Sequence, residues 1–251
     1  MKKYAIEVFN LKIHPWDMQT TLDFIETNII KHKINMQHIV INVAKVVNAQ
    51  KDEFLRNAIN NSDLVNIDGL PVVWVLKILG YKIPERVTGV DLFQNLVEIC
   101  AEKGYRPYFL GAEQKVVEKV VTILEEKYPN LQIAGFRNGY FNEVEEINIA
   151  QEIKESKADM LFLGISSPKK EIFIDKYTKK MDVPFTMGVG GSFDIIAGKT
   201  KRAPLWMQNS GLEWFYRILQ EPRRMWKRYA ITNTLFIIMV VKEIFRRIFK
   251  N

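Results

Sequence analysis

Cysteine is nearly absent from this sequence and histidine is scarce: one Cys and three His stand among 251 residues. The single Cys100 excludes an internal disulfide framework and fits a reducing compartment. Leu96, Ile99 and Cys100 share a face at helical spacing, so packing rather than nucleophilic work is expected of the thiol. His14, His32 and His38 lack ligand spacing and no cysteine cluster supports them, so no zinc site is expected. The Gly-x-Gly-x-x-Gly fingerprint, the Walker lysine loop and the Gly-x-Ser-x-Gly elbow are all missing. Their absence removes the usual support for dinucleotide, P-loop and serine-hydrolase chemistry. Met1-Lys2-Lys3-Tyr4 leads into no long apolar region, so no signal peptide is expected. The most apolar run of the tail, residues 234–241, reaches only about a dozen residues when carried back to Ala230, short of the roughly 20 a spanning helix needs. An interfacial or packed helix is expected there.

What is present suits a sizeable core. The hydrophobic content is 47%, ordinary for a soluble chain that forms one large α/β domain or two small ones. Charge is unevenly spread. Residues 199–251 hold twelve Lys or Arg against three Glu, a net of +9, which leaves −2 on residues 1–198 out of the total of +7. A near-neutral body with a basic tail calls for an anionic partner at one end: nucleic acid, phosphates or an anionic membrane.

Apolar runs alternate with amphipathic segments along the body. Strands are expected at Ala5–Phe9, His38–Ile41, Leu64–Asp68, Pro107–Leu110, Gln132–Phe136, Met160–Gly164 and Phe185–Val189. Helices are expected at Asp17–Lys31, 43–60, Val72–Leu79, Leu92–Lys103, through Val116–Leu124, and at Glu143–Ser156. The Val72–Leu79 segment is apolar on most sides and reads as buried. Strands alternating with helices predict an α/β fold: a Rossmann-like, mostly parallel sheet with helices on both faces. The tail reads as two helices, Pro204–Gln220 and Pro222 onward, forming a basic helical C-terminal appendage.

The stretch Leu64-Val65-Asn66-Ile67-Asp68-Gly69 reads as a strand running into a tight turn. In an open parallel sheet that turn lies at the carboxyl edge, where ligands bind. Asp68 there can take a proton from a hydroxyl, hold a metal, or simply serve the turn. Asn42, Gly111, the Ser166–Glu171 turn and Gly190–Asp194 also follow strands and would meet it on one edge. Gly188-Val189-Gly190-Gly191-Ser192 can present backbone N–H groups to phosphate, or can be a turn that needs glycine for backbone reasons. Lys169, Lys170 and Arg86 suit either a diphosphate or a solvated surface. In the tail, Arg217, Arg223, Arg224, Lys227 and Arg228 interleave with Trp214, Phe215, Tyr216, Trp226 and Tyr229. With the apolar 234–241 run, and with Lys242, Arg246, Arg247 and Lys250 after it, this combination describes a helix in a membrane interface. Nucleic acid could use the same charges, but the apolar run favours membrane.

An ordered set of short motifs runs through nearly all of residues 38–228. It comprises Asn42, Ser62-Asp63-Leu64-Val65 through Asp68-Gly69, Arg86-Val87-Thr88-Gly89-Val90-Asp91, Phe109-Leu110-Gly111-Ala112, Asn138-Gly139-Tyr140-Phe141 and Pro168-Lys169-Lys170-Glu171. It continues with Gly188 through Asp194, Lys201-Arg202-Ala203-Pro204, Gly211-Leu212-Glu213-Trp214, Arg217 and Glu221-Pro222. The set resembles the WecG/TagA/CpsF family of bacterial glycosyltransferases. The resemblance implies a UDP-sugar-dependent enzyme that glycosylates a polyprenyl-diphosphate-linked sugar at the cytoplasmic membrane face, as a peripheral membrane protein, in teichoic acid, capsule or exopolysaccharide synthesis. It implies a catalytic role for Asp68, the family's proposed general base, and for Asn42. Donor binding is implied for Arg86, Gly111, Gly190, Gly191 and Asp194. Contact with the acceptor diphosphate is implied for Lys170, Arg217, Arg224 and Lys227.

The expected organisation is residues 1–198 as the glycosyltransferase domain and 199–251 as its membrane-associating appendage, docked on its own domain or on a second copy. The expected chemistry is an inverting transfer of a hexose or N-acetylhexosamine with no cofactor, no metal and no nucleic acid. Two positions depart from the teichoic-acid branch: Val40 stands where that branch has Thr, and Lys170 where it has Gln within Ala-Pro-Lys-Gln-Glu. A cation in place of an amide beside the site bears on donor or acceptor choice, so N-acetylmannosamine is not assigned. The rival readings are a nucleotide-binding oxidoreductase and a basic nucleic-acid-binding protein.

Overall fold

A computed structural model describes residues 5–32 and 34–249. The N-terminal Met1–Tyr4 and the tail residue Lys250 therefore lie outside the described residues. The chain opens with a hairpin rather than the one expected strand: β1 (Ile6–Val8) pairs antiparallel with β2 (Leu11–Ile13). Phe9 and Asn10 turn it with φ of 54° and 57°. Two consecutive positive φ angles match the twist of a tight hairpin, but a turn without glycine gives little sequence signal.

Six strands form the main sheet: β3 (Met36–Ile41), β4 (Leu64–Ile67), β5 (Pro107–Gly111), β6 (Gly135–Arg137), β7 (Met160–Gly164) and β8 (Phe185–Gly188). Their order is β4-β3-β8-β7-β5-β6, and every neighbouring pair is parallel. β4, β5 and β8 are buried at every residue, as expected of strands covered on both sides. The outer edge of β4 is capped by His14, whose N–H donates to the Val65 carbonyl (2.7 Å) and whose Nδ1 accepts from Val65 N–H (3.0 Å). His38 is fully buried and donates to Asn66 Oδ1 (2.9 Å), while Asn66 Nδ2 donates to Thr21 Oγ1 (3.0 Å). Burial pushes His38 down to about 3, so it remains a neutral core group.

Helices cover both faces. On one face α1 (Met18–His32), α5 (Gly89–Lys103), α6 (Gln114–Lys127) and α9 (Ser192–Ile196) pack on Phe109, Phe162 and Met187. Leu92, Phe93, Leu96 and Val97 of α5 form the middle of this cluster, and Cys100 is buried among them. Burial pushes its thiol above the ordinary range, as a packing role requires. On the other face α2 (Val43–Asn48), α3 (Glu53–Asn61) and α4 (Leu70–Ile78) cover Ile39, Ile41, Val65 and Ile67. Beside them α7 (Glu146–Glu155) and α8 (Lys169–Met181) cover Leu161 and Leu163.

Two expectations are revised here. The segment 43–60 is two helices, because Asp52 caps a new one by accepting from Leu55 N–H at 3.0 Å. The largely apolar α4 is only partly buried: Val72, Val73 and Leu76 face inward, while Trp74 and Ile78 are 45% and 70% exposed.

The C-terminal segment forms α10 (Leu205–Asn209), α11 (Glu213–Gln220) and α12 (Pro222–Ile248). Gly211, at φ +68°, separates the first two, and an added Cβ there would lie 2.7 Å from the Trp74 ring. The 27-residue α12 is about 40 Å long. It packs back onto the hairpin and α2. Phe236 is buried, its ring 6.0 Å from Phe9, and Leu235, Met239, Val240 and Ile244 join the same cluster. Arg247 fixes the far end by donating to the Leu79 carbonyl (2.7 Å) and the Tyr81 hydroxyl (2.8 Å). The 234–241 run is thus packed along one side, and among the described residues no helix is long and apolar enough to cross a membrane.

Candidate functional site

Because all six strands run the same way, their carboxyl ends share one edge. Segments leaving β3 and β7 turn to one face, and those leaving β5 and β8 turn to the other. Opposed departures open a crevice along that edge. Asp68 follows β4, Asn42 follows β3, Val189–Gly191 follow β8, and Gly111 ends β5. Asp68 and Gly111 are four strand spacings apart, roughly 19 Å. The crevice therefore has a carboxylate end and a glycine end.

At the carboxylate end the backbone is tightly held. Asp68 N–H and Gly69 N–H both donate to the Ile41 carbonyl (2.9 and 3.3 Å). A Cβ at residue 69 would lie 3.1 Å from Asn42 Cα, so glycine lets the two strand ends close on each other. Asn42 Oδ1 caps α2 by accepting from Lys45 N–H (3.1 Å). The following loop folds over the acid: Val87 N–H donates to the Ile67 carbonyl (2.8 Å), and Gly89 N–H donates to Asp68 Oδ1 (3.2 Å). Burial first, then the charge of Glu213, raises Asp68 above the usual carboxylate range. The Gly89 N–H, Arg86 and Lys45 oppose that rise. A carboxylate with raised proton affinity is the better proton acceptor.

Two contacts join the C-terminal helices to this loop. Arg86 Nη1 pairs with Glu213 Oε2 of α11. Arg202 grips Asp91 with both terminal guanidinium nitrogens, Nη1 and Nη2 (2.5 and 2.7 Å), while Thr88 donates to the same carboxylate. This engagement holds Asp91 below the usual carboxylate range: burial raises it, but the Arg202 and Thr88 bonds outweigh that effect.

Beneath the edge lies a buried ion cluster. Lys45 Nζ and Lys170 Nζ each stand 2.8 Å from Glu171 Oε1, and Lys45 also donates to the Val40 carbonyl. Two cations and one anion leave the cluster with a net positive charge. Burial would raise Glu171, but Lys45 and Lys170 outweigh it and hold the carboxyl at about 2. Burial, aided by the like charge of Lys45, pushes Lys170 down to about 8. The Lys170 stem crosses the end of β8, and a Cβ at Gly188 would lie 2.9 Å from its Cδ. Lys169 points away, with its ammonium 3.7 Å from the centre of the Phe141 ring.

After β8, Val189 N–H and Gly190 N–H both donate to the Leu163 carbonyl (2.9 and 3.2 Å), and Gly190 takes φ +54°. Arg217 of α11 reaches this turn: a Cβ on Gly191 would lie 3.9 Å from its Nη1. Tyr229 of α12 is within electrostatic reach of Arg217, Arg228, Asp68 and Glu213. At the glycine end, a Cβ on Gly111 would lie 2.5 Å from the Gly164 backbone, so the two strand ends pack backbone to backbone.

The structure thus gathers Asp68, Asn42, Arg86, Lys170, Gly190, Gly191 and Arg217 along one part of the edge. Gly111 lies across the sheet. Asp194 sits on α9 with Lys199 Nζ 3.9 Å from its Oδ1. Arg224 and Lys227 are on the exposed side of α12, where Arg224 pairs with Glu221 (2.5 Å). Arg228 of that basic group is the one whose charge reaches Lys170. Glu171, expected at this edge as part of the Ser166–Glu171 turn, joins the site, and so do Lys45, Glu213 and Tyr229, none of which had been given a role there. Lys45 has only the signal of a lysine inside the apolar run Val43–Val47, whereas Glu171 and Glu213 stand in the motifs ending at Glu171 and Trp214 and Tyr229 is one of the tail aromatics. Among the described residues no group of three His, Cys, Asp or Glu side chains could hold a metal ion.

The model of the glycosyl transferase WecG/TagA/CpsF family matches residues 6–250. Two relatives carry the same name, N-acetylglucosaminyldiphosphoundecaprenol N-acetyl-beta-D-mannosaminyltransferase. The Bacillus subtilis protein is 31% identical over 227 residues, 90% of this chain and 87% of its own. The Bacillus spizizenii protein is 34% identical over 185 residues, 74% of this chain and 70% of its own.

Proposed function

Because the chain belongs to the WecG/TagA/CpsF family of glycosyltransferases, we propose that it moves a hexose or N-acetylhexosamine from a UDP-sugar to a polyprenyl-diphosphate-linked sugar by a single inverting displacement. The observation that carries this reading is Asp68. It stands at the carboxyl edge, its Oδ1 fixed by Gly89 N–H and its proton affinity raised by burial and Glu213. Asp68 takes the proton from the acceptor hydroxyl as its oxygen bonds the anomeric carbon. The bond to the UDP oxygen breaks with its electron pair, and UDP leaves. A positioned base of this kind contributes roughly 10²–10⁴ in rate.

UDP carries its negative charge into the crevice, and this chain's own cations can balance it without a cofactor or metal. Arg217 lies at the glycine turn, and Lys170 with Arg228 stands beside the end of β8. Fixed cations aimed at a departing diphosphate stabilise the charge that develops in the transition state. Gly190, Gly191, Gly111 and Asp194 extend the donor side of the edge. The relatives' names specify an N-acetylglucosaminyl-diphosphoundecaprenol acceptor, and an acceptor of that class fits a crevice rimmed by basic helices. Lys170 is the position expected to tune the choice of sugar.

Residues 199–251 act as the membrane-associating segment. Ile237, Ile238, Val241, Phe245 and Ile248 form an exposed apolar stripe on α12, with Arg223, Arg224 and Lys227 exposed toward its start. An apolar stripe beside a basic cluster suits the interface of an anionic bilayer, at the cytoplasmic face where lipid-linked sugars are built.

The test is UDP release from a panel of UDP-sugars with a polyprenyl-diphosphate-N-acetylglucosamine acceptor, for wild type and Asp68→Asn. Acceptor-dependent release is expected, with a loss of about 10²–10⁴ in the variant. Release that needs no acceptor, or a variant as active as wild type, would overturn the reading.

A further inference from the structure

The charged and titratable groups within electrostatic reach of Asp68 come from five places in the chain. Lys45 is on α2, Arg86 on the covering loop, Arg202 before α10, Glu213 on α11 and Tyr229 on α12. Lys45 is committed to Glu171, and Arg202 to Asp91. Tyr229 is kept protonated: burial raises it and the Asp68 charge adds, against Arg217 and Arg228. Of these five, Glu213 alone is an anion, and it is ion-paired to the one arginine of the loop that covers Asp68. That loop is the same one that fixes the acid, through Val87 N–H on Ile67 and Gly89 N–H on Asp68.

We propose that Glu213 is a positioning residue of the transfer reaction: its carboxylate anchors Arg86 and sets a second negative charge beside Asp68, so the base is poised only while α11 is seated on the covering loop. The proposal rests on Asp68 being the base. Two effects of Glu213 act in the same direction. Its own charge disfavours ionised Asp68, and it cancels the Arg86 charge that would otherwise favour it. Removing the carboxylate therefore makes Asp68 a weaker base. It also couples catalysis to the C-terminal helices through an acidic group, in a segment whose other conspicuous charges are basic.

The experiment is the pH dependence of kcat/KM for acceptor-dependent UDP release by full-length wild type, Glu213→Gln, Glu213→Asp and Asp68→Asn. Glutamine keeps the size and an acceptor oxygen for Arg86 but drops the charge. The acid limb of Glu213→Gln is expected to move to lower pH, on the order of half a pH unit. Glu213→Asp, which restores the charge, is expected to return the limb to the wild-type position. A Glu213→Gln profile that is merely scaled down, with its acid limb where wild type has it, would overturn the proposal. So would a Glu213→Asp limb displaced as far as that of glutamine. If Asp68→Asn retains the wild-type acid limb, the limb belongs to another group and the base assignment fails instead. The Asp68→Asn arm therefore separates the two failures.

Discussion

The Lys45–Glu171–Lys170 cluster is sealed in the protein, with side chains 7%, 1% and 6% exposed, and it carries a net positive charge. The Arg86–Glu213 pair on the covering loop is neutral and looser, with side chains 14% and 33% exposed. Both flank the same crevice, yet they are held differently. The buried cluster is made by α2 and α8, elements already fixed by packing on the sheet. The looser pair is made between a loop and α11, so it forms only when the C-terminal helices dock. A buried excess of positive charge attracts an anion to the edge whatever the tail does. The outer pair reports whether the tail is seated.

Removing the central anion gives the largest expected effect. Glu171→Leu would leave two buried ammonium groups facing each other without a counter-ion. Breaking a buried pair from one side costs about 3–5 kcal/mol, and equilibrium denaturation in urea measures it. A loss below about 1 kcal/mol, the range of exposed pairs, would mean that the cluster is as solvated as the outer pair.

The next effect is in the pH dependence of stability. Glu171 sits at about 2 in the folded protein against an ordinary 4.5. Its contribution is present above the unfolded value and is lost as pH falls from about 4.5 toward 2. Lys170 is lowered to about 8 from 10.5. Between those values the unfolded chain holds the proton and the folded one does not, so stability rises with pH across that window. Lys170→Gln removes one of the two buried cations. It is expected to raise stability at pH 7 and to flatten the rise between pH 8 and 10.5. Denaturant midpoints measured from pH 6 to 10.5 check it, and an unchanged slope would remove Lys170 as its source.

These two clusters also mark how far the sequence could be read. The Asp68-Gly69 end of an apolar run is local, and a parallel sheet carries it to the ligand edge without further information. The alternation of strands with amphipathic helices is local too, and it leads directly to the observed sheet. Lys45 and Glu171 are different. They lie on separate helices and come together only through tertiary packing, so nothing local to Val43–Val47 pairs its lysine with Glu171. The Phe9-Asn10 turn was silent because neither residue is glycine. α4 read as buried because apolarity on most sides says nothing about which side meets the core. Gly211, at φ +68° and tight against the Trp74 ring, breaks the expected 204–220 helix. Among the arginines of the basic stripe, only the packed geometry distinguishes Arg228, whose charge reaches Lys170, from Arg224, which pairs with Glu221.

The smallest stability effect is expected at the outer pair. Glu213 is one-third exposed, so water already screens it, and Glu213→Ala should cost about 1 kcal/mol or less. The same substitution should still displace the acid limb of the rate profile, because Asp68 responds to the charges of Glu213 and Arg86 and not to how much their contact stabilises the fold. Small loss of stability with a shifted limb is the signature of a residue that tunes the base. A loss comparable to that of Glu171→Leu, measured in the same urea titration, would mean that the pair holds the C-terminal helices in place. The difference between the two clusters would then be one of location only.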